Sequence, residues 1–151
     1  MNELKAILLD KYFRAAERTA GLRNLVLLAI RFVLAYGFLN PALNKWADIN
    51  GIAQWFAELG IPLPGLNAYL SASTEIAGVA LLTLGLGTRL ISIPLIINMI
   101  VAITTVHWSN GFEAGSNGFE IPLYYILLLF VLLINGAGKF SIDYFLSKKY
   151  K

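Results

Sequence analysis

Four long apolar runs alternate with short polar or charged stretches along the chain. They lie at about 22–44 (LRNLVLLAIRFVLAYGFLNPALN), 67–86 (NAYLSASTEIAGVALLTLGL), 88–108 (TRLISIPLIINMIVAITTVHW) and 118–138 (GFEIPLYYILLLFVLLINGAG). Each has about 20 residues, the length that crosses a ~30 Å hydrocarbon core. None alternates with the period of two that a membrane barrel needs. Backbone exposed to lipid must satisfy its own hydrogen bonds, so the pattern predicts helices.

Two shorter patterns flank the long runs. In the first, NELKAILLDKYFRAAERTAG, one helical face gathers Leu4, Ile7 or Leu8, Tyr12, and Ala15 or Ala16, while Lys and Arg hold much of the other. That is the pattern of an interfacial helix. In the second, NGIAQWFAELG, Ile52, Trp55, Phe56 and Leu59 follow the i, i+3, i+4, i+7 spacing. Asn50 is the expected cap at its start and Gly60 its stop, and IPLPG then breaks the chain. The expected fold is all-α, an integral membrane four-helix bundle with an N-terminal interfacial amphipathic helix and a short outer-loop helix. The corresponding division is 1–21 for the amphipathic helix, 22–145 for the four-span domain and 146–151 for a basic tail.

Composition supports the membrane reading. The chain is 58% hydrophobic and 14% charged over 151 residues, with a mean hydropathy of +0.67. A soluble domain carries about 45–50% apolar and about 25% charged residues. The first twenty residues mix charges with apolar side chains and lack the clean apolar core of a cleavable signal peptide. No cysteine is present, which removes disulfides, thiolate metal sites and iron–sulfur ligation. A single histidine excludes haem held by two histidines of this chain. His107 and Met99 are eight residues apart, roughly 12 Å along a helix, too far to share one iron.

The basic residues also set an orientation. Lys5, Lys11, Arg14, Arg18, Arg23, Arg89, Lys139, Lys148, Lys149 and Lys151 fall on one side and Lys45 alone on the other. The excess predicts both termini in the cytoplasm. The net charge of +3 therefore belongs to topology and carries no nucleic-acid signal. Trp46, Trp55 and Trp108 all fall at the outer boundary, where an aromatic belt belongs.

Polar residues inside the apolar runs are the candidates for chemistry. Arg31 lies eight residues beyond Arg23 and Glu75 eight beyond Asn67, each roughly 12 Å from its own boundary. Asn98 lies ten residues beyond Thr88. Three helices thus bring Arg31, Glu75 and Asn98 to similar depth. An unpaired charge at the bilayer centre costs about 2.5–3.5 kcal/mol, so an Arg31–Glu75 ion pair is the expectation. Such a pair either fixes helix register or seats a ligand head group or a proton. A second polar layer near the outer surface includes Asn40, Asn44, Lys45, His107 and Glu120. A His107–Glu120 contact there is either a hydrated interfacial pair or a proton relay. One His and one Glu make an incomplete metal site, and no metal is expected. Tyr124 and Tyr125 serve as packing or as the wall of a quinone-sized cleft. Pro41, Pro94 and Pro122 are expected to kink or start helices, and Gly37, Gly78 and Gly85 to permit close helix contact. LGLGT and GAGKF lack the context of a phosphate loop.

Three stretches in order, IRFVLAYGFLNPALNKW, STEIAGVALLTLGLGTRL and NGFEIPLYYILLLFVLLINGAGKFSID, resemble the DoxX family of small four-span bacterial membrane proteins. The likeness covers about residues 22–145, and the middle stretch is also similar to the HvfX branch. The family's Glu-x-x-Gly…Leu-Gly-Leu-x-Thr-Arg signature falls on Glu75 to Arg89, its first-span positions on Arg31, Gly37 and Lys45, and its Gly-x-Glu opening on Glu120. The resemblance implies a bacterial inner-membrane subunit linked to quinol oxidation, thiosulfate:quinone oxidoreduction or oxidative-stress complexes. For the HvfX branch it implies an association with gene clusters for modified metal-related peptides. The expected function is a quinone- or quinol-interacting membrane subunit of a redox complex, with no intrinsic cofactor. A non-enzymatic anchor or assembly partner is the alternative, and a small-solute carrier a more distant one. Expected partners are the bilayer, a redox or assembly protein and a second copy of the chain.

Overall fold

The structure, a computed structural model, describes the backbone of residues 2–150 and the side chains of residues 7–14 and 19–150. It contains α1 (Asn2–Ala20), α2 (Arg23–Ala47), α3 (Ile49–Glu58), α4 (Pro64–Leu84), α5 (Thr88–Ala102), α6 (Glu120–Asn135) and α7 (Ile142–Lys149). No strand occurs among the described residues. Packing closes a ring: α2 lies on α4, α4 on α5, α5 on α6, and α6 returns to α2. α3 folds back over α4. Leu34, Phe38, Leu82, Leu95, Leu129 and Leu132 fill the middle of the ring.

The surface of this ring is apolar as well. Leu90, Ile97 and Ile134 are 75%, 55% and 71% exposed. Helices apolar on every face, closed around a tightly packed core, suit a hydrocarbon solvent. Arg23–Ala47 and the continuous helical stretch Thr88–Asn110 are each long and apolar enough to cross a bilayer. α6 is apolar but has 16 residues, shorter than the run 118–138 suggested. It stops at Asn135 because Gly136 takes φ +74, outside the helical region. The chain ends define the end called inner below.

Local chemistry explains the boundaries. α3 is capped by Asp48, whose side chain accepts from the Gly51 N–H at 2.9 Å; the expected cap, Asn50, is already inside the helix. Gly60, at φ +73, ends α3 as expected, with the Ile61 N–H returning to the Phe56 carbonyl. α4 ends at Gly85, and a Cβ there would stand 2.5 Å from Arg31 Nη1 and from Ser141 Cβ. At Gly78 a Cβ would meet Leu95 at 2.9 Å, so α4 and α5 touch closely there. Ile7, Leu8, Leu9, Tyr12 and Phe13 of α1 are all exposed. Leu4, Ala15 and Ala16 of its expected apolar face, and Lys5 and Arg18 of its basic face, lie outside the residues whose side chains are described.

Candidate functional site

The two charges expected to pair do not meet. Arg31 and Glu75 are both buried, at 2% and 3% exposure, but each has other partners. Arg31 donates from Nε to the Leu82 carbonyl (3.0 Å), from Nη1 to the carbonyls of Ala137 (2.9 Å) and Phe140 (2.8 Å), and from Nη2 to that of Thr83 (3.4 Å). Leu82 and Thr83 belong to the last turn of α4, where carbonyls are under-satisfied (that of Leu82 accepts only a long 3.3 Å bond from the Gly85 N–H within the turn) and carry the negative end of the helix dipole. Arg31 therefore closes the C-terminus of α4 and pins the loop between α6 and α7.

Glu75 instead holds Lys45, whose Nζ lies 2.7 Å from both carboxylate oxygens. Side-chain direction explains the exchange of partners. Helical side chains lean toward their own N-terminus. α2 starts at the inner end, so Arg31 and Lys45 lean inward. α4 starts at the outer end, so Glu75 leans outward, away from Arg31 and toward Lys45. Depth counted along the helix axes ignores this lean, which is longest for arginine and lysine.

The Lys45–Glu75 pair faces a cavity of about 1080 Å³ in the outer half of the bundle. Ser71, Thr74 and Asn98 add polar groups to its wall, and Trp55, Phe56 and Tyr125 add aromatic ones. Asn98 donates weakly to the Ser71 carbonyl and hydroxyl, at 3.3 and 3.4 Å. Glu75 accepts only from Lys45 among the described residues, and a carboxylate has about four acceptor positions. Lys45 likewise has a third N–H beyond the two it spends. Spare donors and acceptors thus border a mainly apolar space.

Backbone irregularities gather around the same space. Pro41, Pro94 and Pro122 all border it. Pro41 removes the N–H that would reach the Gly37 carbonyl, and Gly37 lies on the wall too. Tyr125 packs edge-on to Phe38 at 5.3 Å, its hydroxyl directly over Gly37 where any Cβ would collide. Beyond α5 the helix widens into a π-turn, Ile103–His107, which supplies Thr104, Thr105 and His107 to the wall. Such turns are frequent at functional sites.

Of the six candidate residues, Lys45, Glu75, Asn98 and His107 border this cavity, whereas Arg31 and Glu120 do not. His107 and Glu120 do not pair. The His107 Nδ1–H donates to the Asn117 carbonyl at 2.8 Å. Glu120 accepts from the Ala114 N–H (3.0 Å) and the Tyr124 hydroxyl (2.9 Å), which ties down the outer loop. Tyr125 is on the cavity wall and Tyr124 is not. Ser71 and Thr74 were missed, although Asn67, Ser71, Thr74 and Glu75 stand at i, i+4, i+7 and i+8 and mark one polar face of α4.

Comparison with known proteins agrees with this architecture. The DoxX family model matches residues 26–108, and a model described as TQO small subunit DoxD matches residues 68–151. An uncharacterized protein of Haemophilus influenzae is 34% identical, the match covering 82% of this chain and 85% of that protein. The putative oxidoreductase CatD of Bacillus subtilis is 30% identical over 82% of this chain and 89% of its own. The uncharacterized membrane protein Rv3486 of Mycobacterium tuberculosis is 31% identical, with 81% and 82% covered. No solved structure matches. By family model, relatives and architecture together, the chain belongs to the DoxX family of membrane proteins.

Proposed function

We propose that the outer cavity binds the head group of a quinone or quinol, and that the chain is the membrane subunit of a redox complex. The observation that carries this reading is the Lys45–Glu75 pair on the wall of a partly open, mainly apolar cavity. A volume of about 1080 Å³ lies just above the ~300–1,000 Å³ of small-molecule sites, room enough for a quinone ring. A quinone presents carbonyl acceptors, for which the spare N–H of Lys45 and the Tyr125 hydroxyl are donors. A quinol presents hydroxyl donors, for which Glu75 and Ser71 are acceptors. One wall thus recognises both redox states.

Interconversion of quinone and quinol moves two electrons and two protons. In this chain Glu75 and Lys45 would serve the proton side, with His107 between the cavity and the outer loop. The absence of cysteine and the single histidine leave the electrons to a partner protein. The CatD and DoxD names of similar proteins support a redox setting. The ten-to-one basic bias supports a cytoplasmic inner end in a bacterial inner membrane.

Quinone titration of the purified protein in lipid nanodiscs, followed by Trp55 quenching, tests the proposal. Glu75→Gln is expected to weaken binding by about tenfold, the loss of a charged hydrogen bond. Equal binding by wild type and Glu75→Gln, or no binding by either, would refute it.

A further inference from the structure

A second cavity, of about 540 Å³, lies at the inner end between the starts of α2 and α5 and the end of α6. Arg23, Arg89 and Lys139 border it, with Asp143 as the carboxylate among the lining residues. Each oxygen of Asp143 accepts a backbone N–H at the start of α5, from Gly87 (2.7 Å) and Thr88 (3.1 Å). The ion pairs among the described residues are Arg14–Asp10 and Lys45–Glu75. Three cations therefore share one cavity, none of them in an ion pair, with one carboxylate turned to backbone.

The two arginines are held in place by neutral acceptors. Arg23 Nη2 donates to Asn135 Oδ1 at 2.6 Å, and Arg89 Nη2 to the Ile134 carbonyl at 3.0 Å. Adjacent residues at the end of α6 thus position both guanidinium groups, each keeping most of its five donors free. The floor is bare backbone: Gly136 and Gly138 take φ +74 and +79. Neither Ala137 nor Gly138 gives its N–H to a carbonyl among the described residues. Arg31 fixes this loop from below through Ala137 and Phe140, and Asn24 accepts the Lys139 N–H at 3.0 Å. A preformed concavity with free N–H groups and planar cations is built for oxyanions.

We infer that this inner cavity is a phosphate-binding site, made by Arg23, Arg89 and Lys139, that takes the head group of an anionic lipid. The phosphate is the chemistry shared with any soluble phosphate compound. The lipid source is favoured by Ile134 and Phe140, which stand exposed beside the cations and give acyl chains an apolar surface. The position is also that of lipid head groups, at the mouths of membrane-spanning helices. Basic pockets between such helices are the usual lipid phosphate sites. The site is at the opposite end of the bundle from Lys45 and Glu75 and stands apart from the quinone proposal.

Native mass spectrometry of the purified protein with phosphatidylglycerol or phosphatidylcholine, with and without excess inorganic phosphate, tests the inference. Retention of phosphatidylglycerol over phosphatidylcholine is expected, falling about fivefold for each cation removed in Arg23→Gln, Arg89→Gln and Lys139→Gln. The Lys139 side chain makes no hydrogen bond or ion pair among the described residues, so that variant reports on binding even if an arginine variant unfolds. Competition by inorganic phosphate alone would support the same site with a soluble phosphate source. Equal retention of the two lipids with no effect of phosphate, or a lipid preference unchanged in Lys139→Gln and the arginine variants, would overturn it.

Discussion

The inner and outer halves of the bundle each bury one charge, Arg31 of α2 and Glu75 of α4, and treat it in opposite ways. At the inner end, Arg31 spends its guanidinium on four backbone carbonyls from two elements, and glycine at position 85 clears the space for it. Four of its five N–H donors are spent on the fold, and the residue lines neither cavity. At the outer end, Lys45 and Glu75 spend themselves on one another and keep capacity facing a cavity. Burial of charge alone thus does not mark a site. What separates a structural charge from a candidate site here is whether unspent hydrogen-bonding capacity faces a cavity.

Substitutions at the two ends should separate stability from binding. The largest effect is expected for Arg31→Met, which orphans the carbonyls of Ala137 and Phe140 and should cost about 4 kcal/mol. Thermal unfolding in detergent measures it, and Arg31→Lys should recover only part because a point charge cannot serve that fork of acceptors. A wild-type melting curve for Arg31→Met would end the structural reading. Gly85→Ala should follow at about 2–3 kcal/mol, combining its φ of +65 with the collision against Arg31 and Ser141; the same melting assay reads it.

The outer pair should behave otherwise. Removing both charges in Lys45→Met with Glu75→Leu should leave stability within about 1 kcal/mol of wild type, since a buried ion pair is replaceable by apolar side chains. Quinone binding should nonetheless be lost by about tenfold or more. A double variant that binds normally would make the pair as structural as Arg31. Gly37→Ala pushes on the Tyr125 hydroxyl and should narrow the cavity, weakening binding by about threefold at a cost near 1 kcal/mol. The smallest effect belongs to Glu120→Gln, under about 1 kcal/mol with quinone binding unchanged, because its partners lie in the outer loop.

The apolar runs made the four main helices and the two flanking ones legible, because length and periodicity suffice for that in a membrane solvent. The candidate site was legible by residue but not by pairing. Lys45 was placed near the outer surface and Glu75 near mid-depth, yet the lean of both side chains brings them together. Arg31 was read as needing a carboxylate. Carbonyls at the end of α4, a stop signalled by LGLG in the sequence, and of the loop between α6 and α7 satisfy it instead. The polar face Asn67–Ser71–Thr74 was visible as spacing but was overlooked beside the more costly Glu75. The π-turn at Ile103–His107 has no sequence signature of comparable strength.

The most direct test of the account is the position at which a photoactivatable quinone analogue labels the protein in lipid nanodiscs. Peptide mapping should place the label on the outer cavity, on α3 near Trp55 and Phe56 or on α6 near Tyr125, and excess unlabelled quinone should suppress it. Labelling confined to the inner end around Arg31, or labelling that excess quinone does not reduce, would contradict it.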